Sequence, residues 1–321
     1  MAERVIYSLR FPLMGGWGSV RFVDDRGRER AESIALAVED EARRVEVKYS
    51  RYREGSVVSE INRSAGRTPV AVDAETERLV LAALDLAGLT GGRFDPTVGV
   101  LRRIWDFRAA RVPSAAEVAE LLPLVDASAV SVADGTVFLR RAGVELDLGG
   151  VGKEYAVDRA AEMLLAEEVE AAIVDFAGDV RTIGARGDGR PWAIGVVDPT
   201  DRSRCRFAVR TVGGSGVATS GSYERGFVSE GVRYHHILDA TTGWPARGLA
   251  SVTTVAGTAF EAGRLATAVF LLGRDAGLAL LEDTPNVEGA LITEDGEILP
   301  SSGMLDFTDL PGSIYAQPPY L

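Results

Sequence analysis

Three stretches of this chain hold residue types that handle phosphate and protons. The first is Leu146-Asp-Leu-Gly-Gly-Val-Gly-Lys153, where glycines let backbone N–H groups come close to a ligand and Lys153 adds a point charge. Ahead of a helix, such a turn favours an anion at the helix N-terminus. It has neither the GxxxxGK[ST] of a Walker A loop nor the GxGxxG of dinucleotide folds, and a tight turn alone would explain it equally well. The second stretch runs from Ala218-Thr-Ser-Gly-Ser-Tyr-Glu-Arg225 to Tyr234-His-His-Ile-Leu-Asp-Ala-Thr-Thr-Gly-Trp-Pro245. His235 and His236 are the only two histidines, so imidazole chemistry must happen there, although a histidine on a strand is as readily structural. Asp239, three residues beyond His236, faces the opposite side of a strand and is expected to orient the turn rather than the imidazole. The third stretch is Gly92-Arg-Phe-Asp-Pro-Thr-Val-Gly99. Asp95, held extended by Pro96, would either meet a ligand amine or cap a turn. Tyr52, in Ser50-Arg-Tyr52, is suited to stacking on an aromatic ring.

Composition narrows the setting. The 321 residues carry 35 Lys+Arg against 47 Asp+Glu, a net charge of −12. With a pI near 4.9, nucleic acid is excluded as the main partner, because nothing would neutralise many phosphates. A chain 46% hydrophobic and 26% charged is no disordered polymer. The single cysteine, Cys205, excludes an intramolecular disulfide and is expected as a small buried thiol in a strand. The N-terminal residues lack the pattern of a secretory signal, and no run approaches the ~20 apolar residues of a membrane span. The expected compartment is the cytoplasm.

The elements that must position these residues read as α+β. Apolar spacing gives a helix over 30–47, and a second runs from Ala74 to Leu89, capped by Asp73 and stopped by Gly91-Gly92. Capping boxes at Ser114–Glu117 and Thr258–Glu261 open a short helix ending near Pro123 and a longer one stopping at Gly273. A hairpin turns at Asp134-Gly135 and another at Asp295-Gly296. A strand over Val144–Leu148 is expected to enter the Gly-rich turn, with a helix from about Glu154 to Ala166. Further strands are expected at 171–175, 192–197 and 206–212. One domain over residues 1–300 is followed by an irregular tail over 301–321.

Read in order, Met14-Gly15, Ser50-x-Tyr52, FDPTVG, LDLGGVGK, AGD at Ala177–Asp179, ATSGSYER, HHILDATTG and LATAVFLLG at Leu265–Gly273 resemble the ApbE-type FAD:protein FMN transferases. The resemblance spans roughly residues 10 to 275. It implies a T-fold-like α+β architecture with mixed or antiparallel sheets packed on helices. It also implies an enzyme that moves FMN from FAD to a Ser or Thr hydroxyl of an acceptor protein, releasing AMP. By position, Met14, Tyr52, Phe94, Asp95, Gly149, Lys153, Tyr155 and Ile237 would line the FAD site, with Asp179 and Ser220 in support and His236 as the reactive histidine.

The resemblance further implies a divalent metal, Mg²⁺, held by an Asp and a Thr four residues apart together with a carbonyl of the Gly-rich turn. Here the carbonyl would be that of Gly152 and the threonine Thr267, but the Asp position is Gly263. Glu261 is no substitute, since six residues place it about 120° around the helix from Thr267. Two other departures bear on the loss. Glu154 stands where the family has Gly, and Arg264 lies three residues before Thr267. Either Glu154 supplies the carboxylate, or Arg264 replaces the metal's charge, or both are solvated surface residues. Two rivals to transfer are hydrolysis of FAD to FMN and AMP, and flavin carriage without chemistry. An NAD(P)-dependent oxidoreductase is disfavoured because no Rossmann signature is present.

Overall fold

The computed structural model describes residues 6–310. Its backbone is one antiparallel sheet of eight strands: β1 (Ile6–Leu13), β2 (Gly16–Val23), β3 (Ala172–Phe176), β4 (Asp179–Ile183), β5 (Gly216–Gly221), β6 (Leu249–Ala256), β7 (Glu288–Thr293) and β8 (Ile298–Pro300). Their spatial order equals their chain order, so the sheet is a meander whose connections have grown into helices and hairpins. Met14 and Gly15, with φ of 50° and 78°, make the two-residue turn between β1 and β2. Two left-handed residues in succession match the twist of a tight hairpin.

Seven helices fill the connections: α1 (Arg28–Tyr49), α2 (Val57–Arg63), α3 (Ala74–Leu89), α4 (Ala115–Leu121), α5 (Gly152–Ala166), α6 (Ala259–Leu272) and α7 (Arg274–Asp283). The main core lies where α1, α5 and α6 cover one face of the sheet. Phe22, Phe176 and Phe270 are fully buried in it, each contributing on the order of 2–3 kcal/mol. On the other face a hairpin of Trp192–Val197 and Cys205–Thr211 covers a second core with Val209, Val217, Val255 and Met304. Central β6 is therefore buried along all eight residues.

Asp73 caps α3 by accepting from the Thr76 N–H at 2.9 Å, and Ser114 and Glu117 close their capping box on α4. A 3-10 turn over Leu122–Leu124 follows α4. Four expectations need correction. Val144–Leu148 is not a strand: the Asn62 side chain donates to the Leu146 carbonyl at 3.0 Å and accepts from its N–H at 2.7 Å, taking the place of a neighbouring strand. Only the Thr258 half of the second capping box forms, and the free amides of Ala259 and Phe260 donate to Asp158 instead. Cys205 is exposed, at the edge of the second hairpin. Residues 301–310 are not merely draped: a 3-10 turn at Met304–Phe307 buries Met304 in the second core, while 311–321 lie outside the described residues. No helix among the described residues is long and apolar enough to cross a membrane.

Candidate active site

The Gly-rich turn forms because Asp147 accepts from the Gly149 N–H at 2.8 Å and the N–H groups of Val151 and Gly152 return to the Leu148 carbonyl. Gly150 is required there: a Cβ would lie 2.7 Å from the Phe94 ring. α5 starts at Gly152, two residues earlier than expected, so Lys153 and Glu154 belong to its first turn. Lys153 Nζ sits 2.7 Å from Asp179 Oδ2, at the start of β4. Burial opposes the ammonium charge, but the carboxylates of Asp179 and Glu154 outweigh it and hold the lysine above its ordinary range. Glu154 lies on the inward stripe of α5 with Val157, Ala161 and Leu164, only 6% exposed. Burial first, then the neighbouring Asp179 carboxylate, raises its carboxyl well above the ordinary glutamate range. On β5, Ser220 Oγ is 3.1 Å from Thr267 Oγ1 of α6.

The histidine end is built differently. Residues 226–229 and 232–235 form a hairpin, and immediately after it the His236 N–H donates to the Arg225 carbonyl at 3.0 Å. Burial, with the guanidinium groups of Arg102 and Arg225 beside it, pushes the His236 imidazole down to about 3. It is therefore neutral at ordinary pH, and its buried Nδ1 has no hydrogen-bond partner. His235 points into the core, with Nε2 2.9 Å from the Ala246 carbonyl and its ring edge-on to Phe270. The strand ends at His235, so the two histidines are held by different neighbours, His235 by Ala246 and Phe270 and His236 beside Arg102 and Arg225.

Arg225 joins the two ends. It donates to the Met14 carbonyl at 3.3 Å, and its charge is felt by His236, by Lys153 and by Arg102. Arg102 is charge-coupled to Asp147, Tyr52 and Arg51 as well, so the Gly-rich turn, Tyr52 and His236 border one cationic patch on an acidic chain. Neither arginine was among the residues expected at the site. Arg225 closes the ATSGSYER motif and was readable there, whereas nothing in the spacing of Arg102 marks it.

Several expected residues serve elsewhere in the fold. The Asp95 carboxylate is spent on the Thr97 N–H and hydroxyl and on the Ala127 N–H, the turn-capping alternative. The Tyr155 hydroxyl donates to Glu75 of α3 at 2.6 Å, against the edge of Phe260. Ile237 packs against the main core, its carbonyl accepting from the Ala246 N–H, and Tyr52 stands 78% exposed. Asp239 orients its turn by accepting from the Thr241 N–H and hydroxyl, and it pairs with Arg93. Arg264 lies over the Phe260 ring and faces the charges of Asp85 and Glu261.

No group of three or more His, Cys, Asp or Glu among the described residues is arranged to hold a metal. Against Gly263 lies the Glu154 carboxyl, and one turn on along α6 the Thr267 hydroxyl meets that of Ser220. A divalent cation fits the Glu154 carboxyl on one observation: it is buried against the Asp179 carboxyl, with no N–H or hydroxyl donating to Oε2.

Comparison with known proteins agrees with this architecture. The ApbE family model matches residues 14–291. The FAD:protein FMN transferase of Treponema pallidum is 35% identical over 279 residues, covering 81% of this chain and 77% of that protein. A Klebsiella pneumoniae protein of the same name is 31% identical, with 94% of each chain covered. Among solved structures, the ApbE protein of Thermotoga maritima superposes with a TM-score of 0.83 at 40% identity, covering 93% of this chain and 97% of that one. The flavin transferase ApbE of Vibrio cholerae superposes with a TM-score of 0.84 at 28% identity, covering 95% of this chain and all of that one. This chain belongs to the ApbE family.

Proposed function

We propose that the protein is an FAD:protein FMN transferase acting on a Ser or Thr hydroxyl of an acceptor protein. The observation that carries the reading is a neutral, half-buried His236 whose N–H donates to the Arg225 carbonyl, while the Arg225 guanidinium reaches the Met14 carbonyl and its charge is felt at Lys153. The amides of the turn, Lys153, Arg225 and Arg102 are suited to gripping a pyrophosphate and the charge that builds on its non-bridging oxygens. Met14 and Tyr52 offer surfaces for the flavin or adenine rings. The acceptor hydroxyl oxygen attacks the FMN-side phosphorus while its proton passes to the His236 imidazole. The bond from that phosphorus to the bridging oxygen breaks and AMP leaves.

Gly152, Thr267 and Glu154 are the residues that would hold Mg²⁺. When bound, the metal supplies positive charge at the phosphate oxygens. Lys153 is held in place by Asp179, and Ser220 positions the Thr267 hydroxyl. The test is incubation with FAD, Mg²⁺ and a Thr-containing acceptor domain, followed by flavin fluorescence of the acceptor on a denaturing gel. Covalent flavin on the acceptor is expected. Intact FAD beside an unlabelled acceptor would overturn the reading.

A further inference from the structure

We propose that Glu154 of α5 is the carboxylate ligand of a divalent-cation site whose usual acidic position on α6 is vacated by Gly263. The inference rests on the reading above that this site holds a cation, and it assigns the ligand that this chain supplies.

Space makes the first case. A Cβ placed on Gly263 would lie 2.2 Å from Glu154 Cγ and 2.9 Å from both Cδ and Oε1, so a side chain at 263 and the Glu154 side chain exclude each other. Gly263 has no positive φ, and glycine inside a helix is destabilising relative to alanine. The backbone gives no reason for glycine at that position, and Glu154 gives one. The Glu154 carboxylate fills room that an acid at 263, one turn before Thr267, would use.

Charge makes the second case. Glu154 and Asp179 are 6% and 2% exposed, and Lys153 is the cation paired with Asp179 at 2.7 Å. Two buried carboxylates thus share one ammonium. No N–H or hydroxyl donates to Glu154 Oε2, and its carboxyl faces the Asp179 carboxyl, an arrangement that burial makes costly unless a positive charge or a proton is present. A site of this kind, with hydroxyls of Ser220 and Thr267 nearby, is completed by a hard cation. Arg264 lies over the Phe260 ring, where Asp85 and Glu261 are the carboxylates whose charge it feels. The competing explanation is a proton shared between Glu154 and Asp179.

The test is Mn²⁺ titration of the FAD-loaded protein followed by electron paramagnetic resonance. E154Q keeps the shape and removes the charge, and should weaken Mn²⁺ binding at least about tenfold. G263D alone should lower Tm, because the new side chain meets Glu154. The exchanged double variant E154G/G263D should recover both Tm and Mn²⁺ affinity to within a few-fold of the parent, a non-additivity that separate structural roles would not give. Unchanged Mn²⁺ binding in E154Q would overturn the inference in favour of the shared proton. A parent protein that transfers FMN but binds no Mn²⁺ would also overturn it while leaving the transferase reading intact. Mn²⁺ bound through Glu154 with no FMN transfer would uphold the ligand and overturn the function.

Discussion

The two ends of the candidate site bury ionisable groups with opposite results. Around His236, burial and two guanidinium groups act in the same direction, and the imidazole is left neutral. Around Lys153, burial and the carboxylates of Asp179 and Glu154 act against each other, and the lysine keeps its charge while Glu154 keeps an unsatisfied oxygen. The first end holds a neutral imidazole whose buried Nδ1 has no partner, open to the proton released by an attacking hydroxyl. The second packs two buried carboxyl groups against one ammonium and is fit to take a positive ion along with the phosphates. Arg225 lies between them and is felt by both.

The sharpest way to break this contrast is to remove the proposed base, His236. H236Q should lower FMN transfer by about 10²–10⁴-fold while FAD binding, followed by flavin fluorescence quenching, persists. Transfer that survives would remove His236 from the chemistry. R225M should cost about 10²-fold in kcat/KM, because the link between the ends is lost together with its charge. A change confined to Tm would make Arg225 merely structural.

Smaller effects sharpen the same comparison. Arg102 helps to hold His236 low, so R102M should raise that imidazole towards its ordinary value near 6.5. A base must be neutral, so the acid limb of the kcat/KM profile should move to higher pH. An unmoved limb would place Arg102 outside the electrostatics of the base. Stability should respond with a worked sign. His235 and His236 titrate near 4 and 3 in the fold, against 6.5 when unfolded. Their contribution is full above the unfolded value and is lost as pH falls from there towards the folded values. Each imidazole adds at most about 1.4 kcal/mol per pH unit to that slope. In urea titrations across this window, H235Q should lose one proton's worth of slope, and an unchanged slope would contradict the burial assigned to His235.

Local chemistry made much of this molecule legible from sequence. Asp73, Ser114 and Gly273 mark helix ends because capping is settled within a few residues. The motifs also led to the Gly-rich turn and to His236. What escaped depends on contacts between distant segments. Val144–Leu148 has the pattern of a strand, but its partner is the side chain of Asn62. Arg102 stands in no motif and matters only because the fold sets it beside His236. Tyr155 lies two residues after Lys153, yet the turn of the helix sends its hydroxyl to Glu75. Glu154 was weighed as ligand or surface residue, although its spacing with Val157, Ala161 and Leu164 already puts it on the apolar stripe. Its fit into the room beside Gly263 is a relation between two helices that no local spacing encodes.

The most direct test of the central claim is to quantify AMP by chromatography after incubation with FAD and Mg²⁺, with and without an acceptor domain carrying the target hydroxyl. The account predicts AMP only when acceptor is present, in a one-to-one ratio with covalently bound FMN, and its loss in H236Q. AMP released equally without acceptor would identify a hydrolase, and intact FAD in every sample would identify a flavin-binding protein without this chemistry; either result would contradict the account.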